Sequence, residues 1–444
     1  MTRTPMILSA FFFNPQGDHR MAWRHPDAPG QEIFDLSYYR KLAETAEAAR
    51  MDIIFVADHV AMWDTYESNI AHYANARLEP ITLMAALAAV TQHIGLIVTA
   101  TASYTEPYNL ARTFASLDQL SKGRFGWNVV TSGMNEEAMN FGYEANIDHA
   151  TRYAHAAEFL DVAKALWDSI EDDALLFDKR SGFFADPTRI HRINHVGKSF
   201  KVRGPLNVPR SPQGHPIIVQ AGSSDDGKHL AAQHADLNFA LVRTIEEGQR
   251  YRRDFDGRLA SLGRQPQDLK ILPGILPIVA QSLAEAEEKR ELLETLVPAK
   301  VGIDLVSSWC GIDLSAYPID GPLPALPDLS AYDGQRTSLE KLQEFAKQNL
   351  TIREIARRIS NFGTGPVMAG TPAQVADEME AWYTAEAADG FNLMFPQLPD
   401  DWVNFANLVV PKLQRRGLVQ TDYGPGTLRD RLGLPKPANR FTKK

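Results

Sequence analysis

Side chains that could do chemistry fall repeatedly at the ends of apolar runs in this sequence. Asp58 and His59 follow Ile53-Ile-Phe-Val-Ala57, and Thr99, Thr101 and Ser103 follow Ile94-Gly-Leu-Ile-Val98. Asn128 and Thr131 lie within and just beyond Phe125-Gly-Trp-Asn-Val-Val130, and Gln220, Ser223 and Ser224 end Pro216-Ile-Ile-Val-Gln220. The segment Gln220-Ala-Gly-Ser-Ser-Asp-Asp-Gly227 offers backbone N–H groups, two hydroxyls and a helix start. Together these can hold a phosphate without a lysine. Taken alone, the same segment is equally a serine-capped helix start. His149 and Tyr153 stand four residues apart, so on a helix they share one face. Such a pair is by itself more often structural than functional.

The elements that must position these residues alternate strand and helix. Met6 to Phe13 is an apolar run, and Asp35 can cap a helix on which Leu36, Tyr39, Leu42, Ala43 and Ala46 recur at helical spacing. Pro80 and Pro107 each sit where a first helical turn tolerates proline. Later strand candidates are Leu237 to Val242, Leu272 to Val279 and Phe391 to Phe395. Strands rich in Val and Ile, separated by amphipathic helices, imply parallel pairing through crossover helices. Eight such strands predict an α/β fold, a closed (β/α)₈ TIM barrel, in which active residues occupy the carboxyl ends of the strands. The whole chain, residues 1–444, reads as one barrel domain. Insertions are expected at about 165–214, between strands four and five, and at about 285–365, between strands seven and eight. A basic tail from about 412 is expected to wrap the barrel or a partner subunit.

Composition narrows the function. Hydrophobic residues make up 44% and charged residues 23% of the 444, ordinary for a globular enzyme. The 46 basic and 55 acidic residues give a formal charge of -9, which argues against general affinity for nucleic acid or anionic membrane. The single cysteine, Cys310, excludes an internal disulfide framework and a cysteine-clustered metal site. The first residues lack the apolar core of a signal peptide, and no window reaches the roughly 18 apolar residues of a membrane span. A cytoplasmic location is expected. No G-x-G-x-x-G follows the first strand, so a nicotinamide site of the Rossmann type is not expected.

Several runs together resemble the bacterial luciferase-like superfamily, and more narrowly its nitrilotriacetate and dibenzothiophene-sulfone monooxygenase group. They are Thr99-Ala-Thr-Ala-Ser-Tyr-Thr-Glu-Pro-Tyr-Asn-Leu-Ala-Arg112, Leu117-Asp-Gln-Leu-Ser-Lys-Gly-Arg124, Trp127-Asn-Val-Val-Thr-Ser132 and Asn140-Phe-Gly142. Further on come His149-x-x-Arg-Tyr153, Lys198-Ser-Phe-x-Val-x-Gly-Pro-Leu206, Ser211-Pro-Gln-Gly214, Gln220-Ala-Gly-x-Ser-x-x-Gly227 and Ala231-Ala-x-His-Ala-Asp236. They cover most of residues 6 to 245; the later part matches more loosely.

The resemblance implies a two-component monooxygenase. Reduced FMN (FMNH2) would come from a separate NAD(P)H:flavin reductase, and O₂ would be activated as a flavin C4a-(hydro)peroxide to oxidise a small organic, possibly xenobiotic, substrate. It further implies that Asp58, Thr99, Asn128, His149, Tyr153, Ser223 and Ser224 bind FMN, with Ser224 on the phosphate, and that His149 is a candidate proton shuttle. Where the family usually has acidic residues between this histidine and arginine, Ala150 and Thr151 stand here. The segment His19-Arg-Met-Ala-Trp-Arg-His25 resembles the family's loop after strand one, making His19, Trp23 and His25 substrate-side candidates, with His19 also a catalytic one. Phe12 and Phe55 are expected to line the apolar side of the pocket. A homo-dimer or homo-tetramer is expected. The rivals are a deazaflavin (F420)-dependent oxidoreductase of the same superfamily and a metal-dependent barrel hydrolase using Asp58, His59, His191 and His195. No H-x-H pair supports the hydrolase.

Overall fold

Each of the eight apolar runs becomes a parallel strand. In a computed structural model, residues 4–442 are described apart from 65, 330, 331, 333–335, 363 and 364. The first four strands are β1 (Ile7–Phe12), β2 (Ile53–Val56), β3 (Gly95–Thr101) and β4 (Phe125–Val130). Two antiparallel hairpins follow, β5 (Leu175–Asp178) with β6 (Phe183–Ala185), and β7 (His195–Val196) with β8 (Lys201–Val202). The barrel resumes with β9 (Ile217–Gln220), β10 (Leu237–Ala240) and β11 (Lys270–Val279). After β12 (Val367–Gly370) it ends with β13 (Gly390–Met394). The order β10-β9-β4-β3-β2-β1-β13-β11, closed by pairing of β10 with β11, is an eight-stranded TIM barrel. β12 pairs only with the far end of the ten-residue β11, outside the ring.

Side-chain alternation sorts each strand into two cores. Ile7, Phe11, Ile53, Phe55, Ile97, Ile217, Val219, Leu237 and Leu272 fill the barrel. Leu8, Ala10, Ile54, Leu96, Val98, Trp127 and Ile218 pack outward against the helices. This corrects the expectation for Phe12. It lies one residue out of phase with Phe11, so it faces the helical layer and stacks on Tyr39 at 6.0 Å. Phe11 takes the inward place, edge-on to Phe55 at 5.1 Å.

Helix starts follow the expected signals. Asp35 accepts from the Ser37 amide at 2.7 Å ahead of Leu36–Ala48, and prolines open Pro80–Val90 and Pro107–Leu120. Between β11 and β12, helix Leu283–Thr295 is followed by helices Ala299–Cys310, Arg336–Ala346 and Ile352–Phe362, which enclose an apolar core of their own around Leu305, Leu339, Leu342 and Ile355. Trp63, from the loop after β2, packs against that core. No helix among the described residues is long and apolar enough to cross a membrane.

The tail does more than wrap the outside. Leu428, Leu432 and Leu434 enter the barrel core from its amino end, and a Cβ on Gly95 would lie 2.7 Å from Leu428. Glycine at 95 leaves room for that plug.

Candidate active site

All barrel strands are parallel, so their carboxyl ends share one rim. Strand neighbours β1, β2, β3, β4 and β9 form five of the eight positions on that rim. Asp58, Thr99, Asn128 and the 221–224 turn therefore follow one another around a contiguous arc.

Its middle is a hydrogen-bonded step between strands. Thr99 and Asn128 are paired in register, and Asn128 stands opposite Val219 of β9. The Asn128 Nδ2 donates to Thr99 Oγ1 at 2.9 Å, and that hydroxyl donates to the Val56 carbonyl at 2.9 Å. Asn128 is 4% exposed and its Oδ1 has no partner among the described residues. Buried acceptors are rarely left this way, because desolvation without a hydrogen bond costs about 1–3 kcal/mol. An inward carboxamide oxygen held open is suited to a ligand N–H donor.

At the β2 end, Asp58 lies 4.0 Å from Arg77. The Arg77 guanidinium covers the Phe13 ring at 4.1 Å and reaches His59 Nε2 at 3.3 Å. Burial, assisted by Arg77, pushes the His59 imidazolium down to about 3, so the ring is neutral and Nε2 accepts. Burial raises the Asp58 carboxyl to about 6, against the pull of Arg77. A carboxyl raised on folding contributes stability that is fully present below the ordinary carboxylate value of about 4 and lost as pH rises through about 6. The loss amounts to roughly 3 kcal/mol at most. Asp58→Asn is therefore expected to flatten the fall in the urea midpoint across that pH window and to raise the midpoint at neutral pH. An unchanged slope in the variant would show that Asp58 is not the titrating group.

Glu137 braces this arc from behind. It is 2% exposed, accepts from the Val60 amide at 3.2 Å and Ser132 Oγ at 3.0 Å, and takes the Gly133 and Met134 amides on its other oxygen. The Ser132 oxygen in turn accepts from the Thr101 hydroxyl at 3.0 Å. One carboxylate thus ties together the loops after β2 and β4 and the end of β3.

The β9 end brings four of the expected residues together. His149 and Tyr153 stand on the first turns of helix His149–Trp167 with ring centroids 4.7 Å apart. Asp148 caps this helix through the Thr151 amide at 3.0 Å, so Ala150 and Thr151 leave the cap intact. His149 Nδ1 meets Asp226 Oδ2 at 3.0 Å. Ser224 caps helix Asp225–His234, accepting from the Gly227 amide at 3.2 Å, with Ser223 immediately before it. Gly222 and Gly227 close the turn Cα to Cα. A Cβ on Gly222 would lie 2.9 Å from both Gly227 Cα and Tyr153 Oη, and 2.7 Å from Gln220 Nε2.

Two acids in the first helical turn would oppose an anion there. Both are turned to cations or an imidazole: Asp225 to Arg258 at 2.6 Å, and Asp226 to His149. The Gly222 amide is taken by Gln220 Oε1 at 2.6 Å, so the turn offers the Ser224 hydroxyl proton, with Tyr153, beside a close backbone approach. These donors and the open Asn128 oxygen are of the kinds that a phosphorylated flavin can use.

The loop after β1 is placed differently. His19 is buried, with its amide on the Pro396 carbonyl at 3.1 Å and Nδ1 accepting from the Met21 amide at 3.3 Å. Trp23 is exposed and donates to the His72 carbonyl at 2.7 Å, and His25 turns onto Asp27. Among the described residues no hydrogen bond, ion pair or ring contact joins Trp23 or His25 to the arc. His191 and His195, on the insertion, bond Glu171 and, on helix His149–Trp167, Glu158, and no group of three metal-ligating side chains occurs among the described residues. Arg77, Glu137 and Asp226 were not expected from sequence. Each is a charged residue in a loop or first helical turn, where a solvated charge has the same local pattern.

The match to known proteins covers the whole chain. The family model described as luciferase-like monooxygenase matches residues 16–389. Nitrilotriacetate monooxygenase component A of Aminobacter aminovorans is 46% identical over 443 residues, covering 98% of this chain and 97% of that one. N-acetyl-S-(2-succino)cysteine monooxygenase of Bacillus subtilis (strain 168) is 44% identical over 444 residues and 100% of both chains. Among solved structures, EDTA monooxygenase from Chelativorans sp. BNC1 superposes with a TM-score of 0.78 at 36% identity, covering 97% of this chain and 99% of that chain. With its barrel, its phosphate-suited turn and full-length relatives of this kind, the chain belongs to the luciferase-like monooxygenase family.

Proposed function

We propose that this protein is the oxygenase of a two-component, FMNH2- and O₂-dependent system acting on a small organic substrate. The observation that carries the reading is the end-to-end identity, 46% and 44%, with two relatives that are both named monooxygenases, one of them as component A of its system. The substrates in those names, like EDTA in the name of the structural relative, are organic acids carrying several carboxyl groups.

Bound reduced FMN supplies the chemistry with O₂. The chain's own residues hold and shield it. Ser223, Ser224 and Tyr153 take the phosphate, and Asn128 Oδ1, fixed by Thr99, accepts from the flavin ring. Asp58 sits at the β2 end of the same arc. Phe11, Phe55 and Phe239 form the dry floor, with centroids 5.1 to 6.3 Å apart. His149, held by Asp226, is placed to move a proton at the phosphate end. His19 closes the rim beside the β13 end.

The test is turnover of a panel of organic acids with a flavin reductase and NADH, with products scored by mass for one oxygen atom derived from ¹⁸O₂. The expected result is label incorporation that depends on the reductase. Efficient turnover with NADH and oxidised FMN alone would overturn the two-component reading.

A further inference from the structure

Arg20 is a cation held ready without a carboxylate. It lies in the loop after β1, half-buried on the rim side, between the loop after β2 and the helices inserted after β11. Its guanidinium sits 5.1 Å from the Trp63 ring centroid and 5.6 Å from that of Tyr73, and those two rings are 4.9 Å apart. One terminal nitrogen donates to Tyr73 Oη at 3.1 Å. Nε and the other terminal nitrogen have no partner among the described residues, and no carboxylate there makes an ion pair with Arg20.

The neighbouring charges are already committed. Arg77, further along the same loop as Tyr73, faces Asp58. Asp304, on the helix above, is held by Ser68 and by Lys300 at 3.1 Å. Asp18 accepts from the Phe13 amide at 3.3 Å. Arg24, four residues on, reaches only the Leu296 carbonyl. A chain of net charge -9 has therefore placed on this rim two arginines that no carboxylate among the described residues pairs.

Two aromatic faces fix the guanidinium plane and stabilise its charge but leave the outer N–H fork unsatisfied. A fixed planar fork is complementary to a carboxylate, which it binds through two parallel N–H···O bonds. We propose that Arg20 binds a carboxylate of the substrate, so that the substrate class is a small organic acid entering between the β1 and β2 loops. This rests on the monooxygenase reading above. Arg24, on the same loop, supplies long-range attraction to the same anion.

The test uses nitrilotriacetate and N-acetyl-S-(2-succino)cysteine as probes, each with its fully esterified neutral form. FMN binding is titrated first by quenching of flavin fluorescence, and its absence from the wild type would sink the function reading alone. Acid binding is then read by calorimetry on the same protein, and KM and kcat by the reductase-coupled assay. Arg20→Met is expected to weaken binding of the acid, and raise its KM, at least tenfold. The ester's KM, the FMN titration and kcat at saturating acid should stay within about threefold. Arg20→Lys, which keeps the charge but loses the fork, should fall between the two. The proposal is overturned if the wild type binds neither acid, if acid and ester lose affinity in parallel, or if Arg20→Met loses FMN instead.

Discussion

Replacing Gly222 by alanine is expected to weaken FMN binding by roughly 10- to 100-fold while the barrel stays folded. The added methyl would meet Gly227 Cα and Tyr153 Oη at 2.9 Å and Gln220 Nε2 at 2.7 Å. Tyr153 and Gln220 can swing aside, but Gly227 Cα is backbone in the first turn of helix Asp225–His234, whose cap bond joins Ser224 Oγ to the Gly227 amide. Relief must come from opening the turn, and overpacking of this kind costs about 1–3 kcal/mol. At about 1.4 kcal/mol per decade, that cost falls on the conformation that presents Ser224 and Tyr153 to phosphate. A flavin-fluorescence titration reads the affinity, and melting without flavin reads the fold. The control is Gly257→Ala in helix Ile245–Ser261, where an added Cβ meets nothing within 4 Å. That variant should keep FMN affinity and gain stability of about 0.5–1 kcal/mol. Equal FMN affinity in wild type and Gly222→Ala would remove the turn from the cofactor site.

The eight barrel strands were legible because apolar β-branched runs with punctuating Gly, Pro and Asp state both period and boundary locally. The short strand Val367–Gly370 was not, since four residues of mixed character carry no period, and its pairing to β11 is a long-range event. The hairpins β5–β6 and β7–β8 escaped for the opposite reason. Their residues are largely exposed, so nothing in their sequence marks a buried face. Site positions divide the same way. Ser224, His149 and Tyr153 were named through the family resemblance, and a local turn and an i, i+4 spacing were enough to set them on one turn and one helix face. The Asn128–Thr99 bond depends on the register of β4 on β3, which local sequence does not specify. The Phe12 error was one of phase: both Phe11 and Phe12 are apolar, and only closure of the barrel decides which faces in.

The tail shows the same dependence on distant partners, and it carries the largest stability effect. Arg429 lies in the four-residue helix Leu428–Arg431, beside the leucines that plug the barrel. Its guanidinium meets both oxygens of Asp236, at 2.7 and 2.8 Å, with its side chain 2% exposed. Asp236 also accepts from the Ile218 amide at 2.9 Å, so it fixes the start of β10 against β9. Burial would raise this carboxyl, and Arg429 holds it below its ordinary value instead. Arg429→Met keeps the aliphatic bulk but leaves a buried carboxylate without its partner, which costs about 3–5 kcal/mol. Asp236→Asn in the same chain removes the orphaned charge and should recover part of that loss, giving a coupling energy of at least about 1 kcal/mol. The sign with pH follows from the two carboxyl states. In the wild type the pair's contribution is present above the ordinary carboxylate value and is lost as pH falls through the depressed one. In Arg429→Met the unpaired Asp236 takes up a proton, so the deficit should narrow as pH falls toward about 4. Urea unfolding of the wild type, Arg429→Met, Asp236→Asn and the double variant at two pH values reads all of this. A single-variant loss under about 1 kcal/mol, or a double variant no more stable than Arg429→Met, would mean that the leucine plug, not the ion pair, seals the barrel floor.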